Sequence, residues 1–440
     1  MYIYQDLLAR AQAGTPVRVG LIGAGKFGSM FLSQVPTTPG LEVAWIADLS
    51  PDRARAACRS VGWPDDLIAR TTVEDDARRL IASGAADVVV EATGVPSVGL
   101  VHAREAIRNG VHIVMVNVEA DVLAGPLLAE EARQAGVVYS MAYGDQPALT
   151  CEMVEWARST GFDVVAAGKG TKFLPAYHAS TPDTVWDHYG LTGEQAAAAG
   201  MNSQMFNSFL DGTKSALEMA AIANATGLTP PPDGLMFPPA GMDDLAHVLR
   251  PKSEGGQLAA KGQVEVVSSL ERDGRPVFKD LRWGVYVVIE APNDYAAACF
   301  RQYGMNTDAT GRYSAMYKPF HLIGLELNVS ILSAAILNRP TGSTQGFRGD
   351  VVATAKRDLK AGEMLDGEGG FTVWGKLYPA ETSLKIGGLP IGLAHNVKLK
   401  ADIKTGQPIR WVDVEADESS EAIRIRRDME RQFGRKGMAA

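Results

Sequence analysis

The sequence predicts an α/β protein: a doubly wound parallel sheet in the N-terminal part, a central α+β region, and a compact β-rich region towards the C-terminus. Three observations carry that expectation. Between residues 17 and 161, apolar runs of strand length alternate with helical stretches about five times, the pattern of a parallel sheet with crossover helices on both faces. From residue 162 the pattern changes, with strand-like segments at 262–270 and 284–290 set among irregular, proline-rich chain, as in a second and more antiparallel sheet. The stretch P-T-G-S-T-Q-G-F-R-G at 340–349 then has the composition of a domain boundary. The expected divisions are residues 1–161, 162–339, 350–414 and a charged helix over 415–440. In that helix Arg424, Arg426, Arg427 and Arg431 read as a solvated face.

The first strand, V-R-V-G-L-I at 17–22, runs into Gly23-x-Gly25-x-x-Gly28 and then an apolar helix. A buried strand, a glycine turn and a helix in that order make the dinucleotide-binding Rossmann fingerprint. Gly23 permits the tight turn, Gly25 lets backbone N–H groups approach a pyrophosphate, and Gly28 lets the helix pack on the sheet. Lys26 and Phe27 complete the turn. The second strand, at 42–47, ends at Asp48, about twenty residues past the last glycine, where a carboxylate meets the adenosine ribose hydroxyls. Such a carboxylate repels a 2′-phosphate, which favours NAD over NADP. Ser50 caps the next helix; Arg53 within it either touches the adenine face or a 2′-phosphate, or is a solvated helix residue.

A helix is expected over 73–82, then a strand D-V-V-V-E-A-T-G at 87–94 whose Thr93 and Gly94 lie at the cofactor cleft, outside the carboxyl ends of the strands. After a helix at 97–109 comes a strand at 112–117 continuing towards Asp121. Asn117 and Glu119 emerge there, either near the nicotinamide or as a helix cap and a backbone hydrogen bond. A strand at 137–142 and a helix from Pro147 to about residue 160 complete the alternation.

Beyond it, a strand at 162–167 ends in G-K-G, placing Lys169 on a strand end with glycines that leave room for a ligand. The aperiodic stretch with Tyr177, His178 and His188 reads as a long loop of the kind that covers an active site. A helix over 206–227 puts Asp211, Lys214 and Glu218 on one face. A lysine flanked by two carboxylates serves as acid/base for a C–OH, its pKa set by those neighbours. His321, in Y-K-P-F-H, is either catalytic or structural. The helix over 325–337 is apolar nearly all round, hence buried, and is expected to run back onto the first domain.

Composition narrows the function. At 46% hydrophobic and 21% charged residues this is ordinary globular protein. A net charge of −8 argues against nucleic acid or an anionic membrane as partner, without excluding an anionic substrate. Three scattered cysteines, Cys58, Cys151 and Cys299, fit reduced thiols in a cytoplasm and neither a disulfide framework nor a zinc site. The N-terminal segment reads as a short amphipathic stretch without the basic n-region or cleavage site expected of a signal peptide, and no apolar run reaches membrane length. No metal ligand set is read from the seven histidines; Mg²⁺ or Mn²⁺ on Asp211 and Glu218 stays open. The G-x-S-x-G elbow of esterases is absent.

Through G-L-I-G-A-G-K-F-G, D-V-V-V-E-A-T-G and V-M-V-N-V-E-A-D the chain resembles the homoserine-dehydrogenase-like oxidoreductases. Through A-G-K-G (167–170), D-G-T-K with E-M-A-A-I-A-N-A-T-G-L (211–228) and K-P-F-H-L (318–322) it resembles the 1-deoxy-D-xylulose 5-phosphate reductoisomerase-like (DXR-like) branch. The segments V-V-A-T-A-K-R-D-L-K-A-G-E-M-L-D, L-P-I-G-L-A-H and K-T-G-Q-P-I resemble a SAF module. The resemblance implies an NAD(P)-dependent oxidoreductase with a dinucleotide domain, a central catalytic and dimerisation domain and a SAF tail, assembled as a homodimer or homotetramer. Two departures matter. Homoserine dehydrogenases carry T-A-N-K where this chain has Asn117-Val-Glu119, which speaks against homoserine as substrate. Reductoisomerases use NADPH, whereas Asp48 points to NAD.

The expected function is therefore hydride transfer between a nicotinamide and a small polar hydroxy or carbonyl compound. Lys169 or Lys214 handles the substrate oxygen, and Asp211 and Glu218 orient it. The alternatives are a reductoisomerase acting on a sugar phosphate, and a dinucleotide-sensing or scaffold protein.

Overall fold

The computed structural model describes residues 3–437. Residues 1–2 of the N-terminal segment and 438–440 of the expected charged helix lie outside the described residues. The chain folds as two compact units. One comprises Met1–Leu149, His321–Gln345 and Arg424–Met429; the other comprises Thr150–Phe320, Gly346–Ile423 and Glu430–Ala440.

The first unit is built on a parallel six-stranded sheet in the order β3-β2-β1-β4-β5-β6. Its strands are β1 Val17–Ile22, β2 Leu41–Ala47, β3 Thr72–Glu74, β4 Val88–Glu91, β5 His112–Met115 and β6 Tyr139–Met141. Covered on both faces, they read as near-continuous apolar runs: Val88, Val89, Val90, Ile113 and Val114 are wholly buried. Helix α1, Lys26–Gln34, follows β1, and α2, Pro96–Arg108, follows β4. Helix α3, Val118–Ala135, follows β5. The sheet has six strands where five were expected. The segment read as a helix over 73–82 begins as β3, and only Ala77–Ala82 is helical. Asp76 sets that boundary: its side chain accepts from the Arg79 amide at 3.0 Å and caps the short helix. The apolar helix forms as Asn328–Leu337, and Leu327, Ile331 and Ala334 share one core with Val88, Val90 and Val114. Arg426, on the terminal helix Glu421–Gly437, is wholly buried and donates to the Leu123 carbonyl at 3.1 Å. That carbonyl lies at a kink in α3, where Ala124 leaves helical geometry two residues before Pro126. The solvated face read from the arginines is thus corrected at Arg426.

The second unit holds a four-stranded mixed sheet in the order β10-β9-β7-β8. Its strands are β7 Asp163–Thr171, β8 Gln263–Ser268, β9 Val285–Glu290 and β10 Tyr313–Lys318. The region read as a loop after Lys172 contains short helices, among them Val185–Tyr189. The helix expected over 206–227 is two: α4, Ser203–Leu210, and α5, Thr213–Thr226. Gly212, at φ +91°, turns the chain between them. Two small antiparallel pairs complete this unit, β11 Gly349–Ala355 with β13 Val373–Pro379, and β12 Met364–Asp366 with β14 His395–Lys398. They are not a detached tail. The Gly375 amide donates to Thr213 Oγ1 at 2.8 Å, and Asn224, on α5, takes the Arg348 and Gly349 amides at 2.6 and 2.8 Å.

Among the described residues no helix is long and apolar enough to cross a membrane.

Candidate functional site

In the first unit, the glycine turn joins β1 to α1. Gly23, at φ +94°, has no room for a side chain, since a Cβ there would stand 2.7 Å from the Ala92 carbonyl oxygen. A Cβ on Gly28 would land on the Gly23 carbonyl, so that glycine brings the helix onto the turn. A Cβ on Gly25 would meet nothing within 4 Å. Gly25 is also the N-cap of α1 and supplies no side chain to it. The first N–H groups of the helix are therefore left for an anion arriving on the open side, and the residues fit a dinucleotide pyrophosphate. Lys26 is exposed beside them and Phe27 half-buried.

Asp48 follows β2 and is buried. Its Oδ2 accepts from the Ala24 amide at 3.0 Å, and its Oδ1 from the Ser50 amide at 2.9 Å and from Arg53 at 2.8 Å. Arg53 keeps 65% of its side chain exposed. The carboxylate thus ties the end of β2 to the glycine turn, and the arginine leans on it.

At the carboxyl ends of β4 and β5 the structure brings together Thr93, Asn117 and an acid that sequence reasoning passed over, Glu91. Glu91 is wholly buried. Its Oε1 accepts the Thr93 hydroxyl at 2.5 Å and lies 3.5 Å from His102 Nδ1. The signal was present as a lone acid ending the apolar run V-V-V-E. Gly94 follows Thr93 at φ +68°. Asn117 is the N-cap of α3, its Oδ1 accepting from the Ala120 amide at 3.1 Å, while its buried Nδ2 has no partner among the described residues. The strand expected to continue towards Asp121 is therefore helix from Val118, with Glu119 half-buried in its first turn. His321, also half-buried, belongs to this first unit.

In the second unit Lys169 lies within β7, two residues before its end, where a strand end was expected. The flanking glycines serve the sheet, not a ligand: a Cβ on Gly168 would strike the Glu265 carbonyl, and one on Gly170 the Leu281 carbonyl. Lys169 is 6% exposed and forms an ion pair with Glu218 of α5. Asp211, wholly buried at the C-cap of α4, pairs with Lys356 at 2.8 Å. Lys356 also donates to the Ser180 and Gly370 carbonyls at 2.8 and 2.7 Å. Burial pushes the Asp211 carboxyl above its ordinary range, against the pull of Lys356. His178 Nδ1 lies 2.7 Å from the Asp211 carbonyl oxygen, its ring stacked on Trp374 at 3.9 Å; burial lowers its pKa.

The single-face stripe of Asp211, Lys214 and Glu218 is therefore corrected. The break at Gly212 takes Asp211 off the helix that carries the other two, and the carboxylates pair with Lys356 and Lys169. Lys214 lies half-buried in the first turn of α5. Lys356 was missed because its partner is distant in sequence. Among the described residues no three His, Cys, Asp or Glu side chains gather as a metal site.

Residues 23–141 match the homoserine dehydrogenase NAD-binding domain, residues 144–327 the catalytic domain of oxidoreductase DRL, and residues 350–415 the SAF domain. The chain thus carries segments that match an NAD-binding domain, an oxidoreductase catalytic domain and a SAF domain. No curated protein matches it by sequence.

Solved structures similar to parts of this chain include a myo-inositol dehydrogenase from Lactobacillus casei in complex with NAD(H) and myo-inositol. It is 17% identical over 39% of this chain and 50% of its own, with a TM-score of 0.29. An oxidoreductase from Agrobacterium radiobacter, in complex with NAD+, L-tartaric acid and magnesium, is 19% identical over 36% and 45%, at 0.29. The WlbA dehydrogenase from Bordetella pertussis, in complex with NADH and UDP-GlcNAcA, is 20% identical over 36% and 44%, at 0.27. The chain spans half or less of each of these solved chains, and likeness so partial decides no substrate.

Proposed function

We propose that this oxidoreductase transfers hydride between a nicotinamide dinucleotide and a small polar hydroxy or carbonyl compound, with Lys169 as the proton donor and acceptor. The observation that carries the reading is the buried Lys169–Glu218 ion pair inside the DRL catalytic domain. Taking two charges out of water is costly, and neither a scaffold nor a sensor needs it. When bound, the dinucleotide supplies or accepts the hydride. In the reducing direction the Lys169 ammonium gives its proton to the carbonyl oxygen as negative charge develops there. In the oxidising direction the lysine amine takes the hydroxyl proton. Glu218 holds the lysine in place through the ion pair, and Lys214, in the first turn of α5, is a second candidate to handle the substrate oxygen.

Asp48 supports NAD as the preferred dinucleotide, because a 2′-phosphate would meet its carboxylate. Gly23, Gly25, Lys26, Phe27 and Gly28 would hold the pyrophosphate, and Thr93, Gly94, Asn117 and Glu119 the nicotinamide end. Fluorescence titration with NADH and NADPH checks this: NADH should bind tighter, and a preference for NADPH sets the Asp48 argument aside in favour of Arg53 as a 2′-phosphate ligand.

A second reading, a reductoisomerase acting on a sugar phosphate, is favoured by one observation, the DRL description of the domain matched by residues 144–327. Assembly into a homodimer or homotetramer is part of the proposal, supported by edge strand β10, which leaves Met316 and Tyr317 exposed. A cytoplasmic setting is supported by three cysteines that form no disulfide.

A further inference from the structure

One buried acid of the first unit has no part in the proposed proton transfer. Glu91 ends β4, level with Ile22 and Met115, the last residues of β1 and β5, so it stands on the final row of the sheet where the cofactor cleft opens. The chain just past it adjoins the glycine turn. The Ala92 amide donates to the Ile22 carbonyl at 2.8 Å. A Cβ on Gly23 would stand 2.7 Å from the Ala92 carbonyl oxygen and 3.2 Å from the Thr93 amide nitrogen. The turn after Glu91 and the turn that fits a pyrophosphate therefore share one rim.

The surroundings of Glu91 leave it as a lone negative charge. Its Oε1 accepts the Thr93 hydroxyl at 2.5 Å and the Thr93 amide at 3.3 Å, the pattern of an ionised carboxylate, which only accepts. Its Oε2 has no hydrogen-bond partner among the described residues, and neither has Asn117 Nδ2. Both atoms face Gly99 of α2, where a Cβ would stand 3.1 Å from Oε2 and 2.9 Å from Nδ2. Glycine at that position lets the helix close over the two atoms and keep water out. No lysine or arginine pairs with Glu91 among the described residues; its one basic neighbour is His102, whose Nδ1 lies 3.5 Å from Oε1, at the limit of a hydrogen bond. Asp48, the other buried acid near this rim, is paired with Arg53. A buried charge without a counterion is screened little by water or salt, so its field reaches into the cleft.

We propose that Glu91 sets the preference of the site for the oxidation state of the nicotinamide, favouring the positively charged oxidised ring over the neutral reduced one. The inference rests on the reading of the first unit as the dinucleotide site, with Thr93 and Asn117 at the nicotinamide end. In carbonyl reduction, hydride leaves the reduced ring with its electron pair and bonds to the carbonyl carbon. The carbonyl oxygen takes a proton, and the ring is left with one positive charge. The Glu91 carboxylate stabilises that charge without touching the reacting atoms. Bound NADH becomes the stronger hydride donor, and reduction of the carbonyl becomes the favoured direction. At an effective dielectric of about 20, unit charges about 10 Å apart attract enough to change an affinity about tenfold.

Calorimetric titration of the full chain with NAD+, NADH and ADP-ribose, at about pH 8 and so above the ordinary range of a histidine, tests the role without any turnover. NAD+ should bind the unaltered protein about tenfold more tightly than NADH. Glu91→Gln keeps an acceptor for Thr93 and removes the charge. It should bring the two dinucleotides to within about twofold of each other, chiefly by weakening NAD+, and leave ADP-ribose, which has no nicotinamide, unchanged. An acid that served only to shape the turn would shift all three ligands together and keep their ratios. NADH binding the unaltered protein as tightly as NAD+, or a preference that survives Glu91→Gln, overturns the assignment. Where the variant loses ADP-ribose as well, the order on the unaltered protein decides alone. The underlying reading fails separately: a preference for NAD+ with no turnover of any substrate keeps the role of Glu91 and removes the proposed reaction, and a chain that binds neither dinucleotide removes both.

Discussion

Glu218 and Lys169 are each nearly sealed from water, so the charge on either is tolerable only while the other is present. Glu218→Gln should therefore lower stability by about 3–5 kcal/mol in a urea titration, as for a buried pair broken on one side. A loss below about 1 kcal/mol would place the pair in contact with solvent. Asp121 makes a second residue-scale case. It is buried in α3 and accepts from Tyr139 at 2.9 Å and Thr344 at 3.1 Å, and burial raises its pKa to about 6. An acid whose folded pKa exceeds its unfolded value is stabilising below the unfolded pKa, and that contribution is lost as pH rises through the folded one. Stability should fall between about pH 4 and pH 6, by up to about 3 kcal/mol from this group. Asp121→Asn keeps an acceptor for both hydroxyls and should flatten that part of the curve; an unchanged slope would assign it to other carboxylates. The sequence marked Asp121 only as the end of a stretch, because its burial depends on a kink in α3 and on Thr344, far along the chain.

At the scale of elements, the glycine turn and the six-stranded sheet were legible because their signals are local: apolar runs, glycines at fixed offsets, and an acid after the second strand. The helix break was not. The stretch 206–227 has helical periodicity throughout, and Gly212 looks like an ordinary tolerated glycine until its φ of +91° is known. That one angle moved Asp211 off the face it was expected to share with Lys214 and Glu218. A Cβ at Gly212 would meet His178 Cε1 at 3.2 Å, so strain and contact act together. Gly212→Ala should cost about 1–2 kcal/mol in chemical denaturation. A neutral result would mean that the α4–α5 junction relaxes freely. Likewise, the glycines around Lys169 were read as room for a ligand, whereas the backbone of Glu265 and of Leu281 fills that room. Sequence shows where side chains are missing and not what takes their place.

For the whole molecule, sequence composition divides the chain at 340–349, and residues 350–415 match a SAF domain. The fold groups those residues with the central region in one compact unit. Lys356 reaches Asp211, and Gly375 reaches Thr213. A chain ending at residue 345 would leave the Asp211 carboxylate buried without its lysine and uncover the face of α5 that packs on β11 and β13. Residues 150–320 and 350–414 should accordingly unfold in one calorimetric transition, and the truncated chain should fail to fold; two separable transitions would mark the SAF region as an independent module. Linear spacing reveals where one sequence pattern stops and another begins, but it does not reveal which side chains cross the line.

The central claim is that Lys169 moves the proton in a nicotinamide-dependent reaction. Its most direct measurement is the absorbance of reduced nicotinamide with panels of polyols, hydroxy acids and sugar phosphates, run on the unaltered chain and on Lys169→Gln. The account predicts turnover with at least one class, and loss of about a hundredfold or more in Lys169→Gln with NADH affinity retained, the scale of a missing general acid or base. Turnover that survives Lys169→Gln, or a chain that binds NADH and turns over no member of any panel, would contradict it.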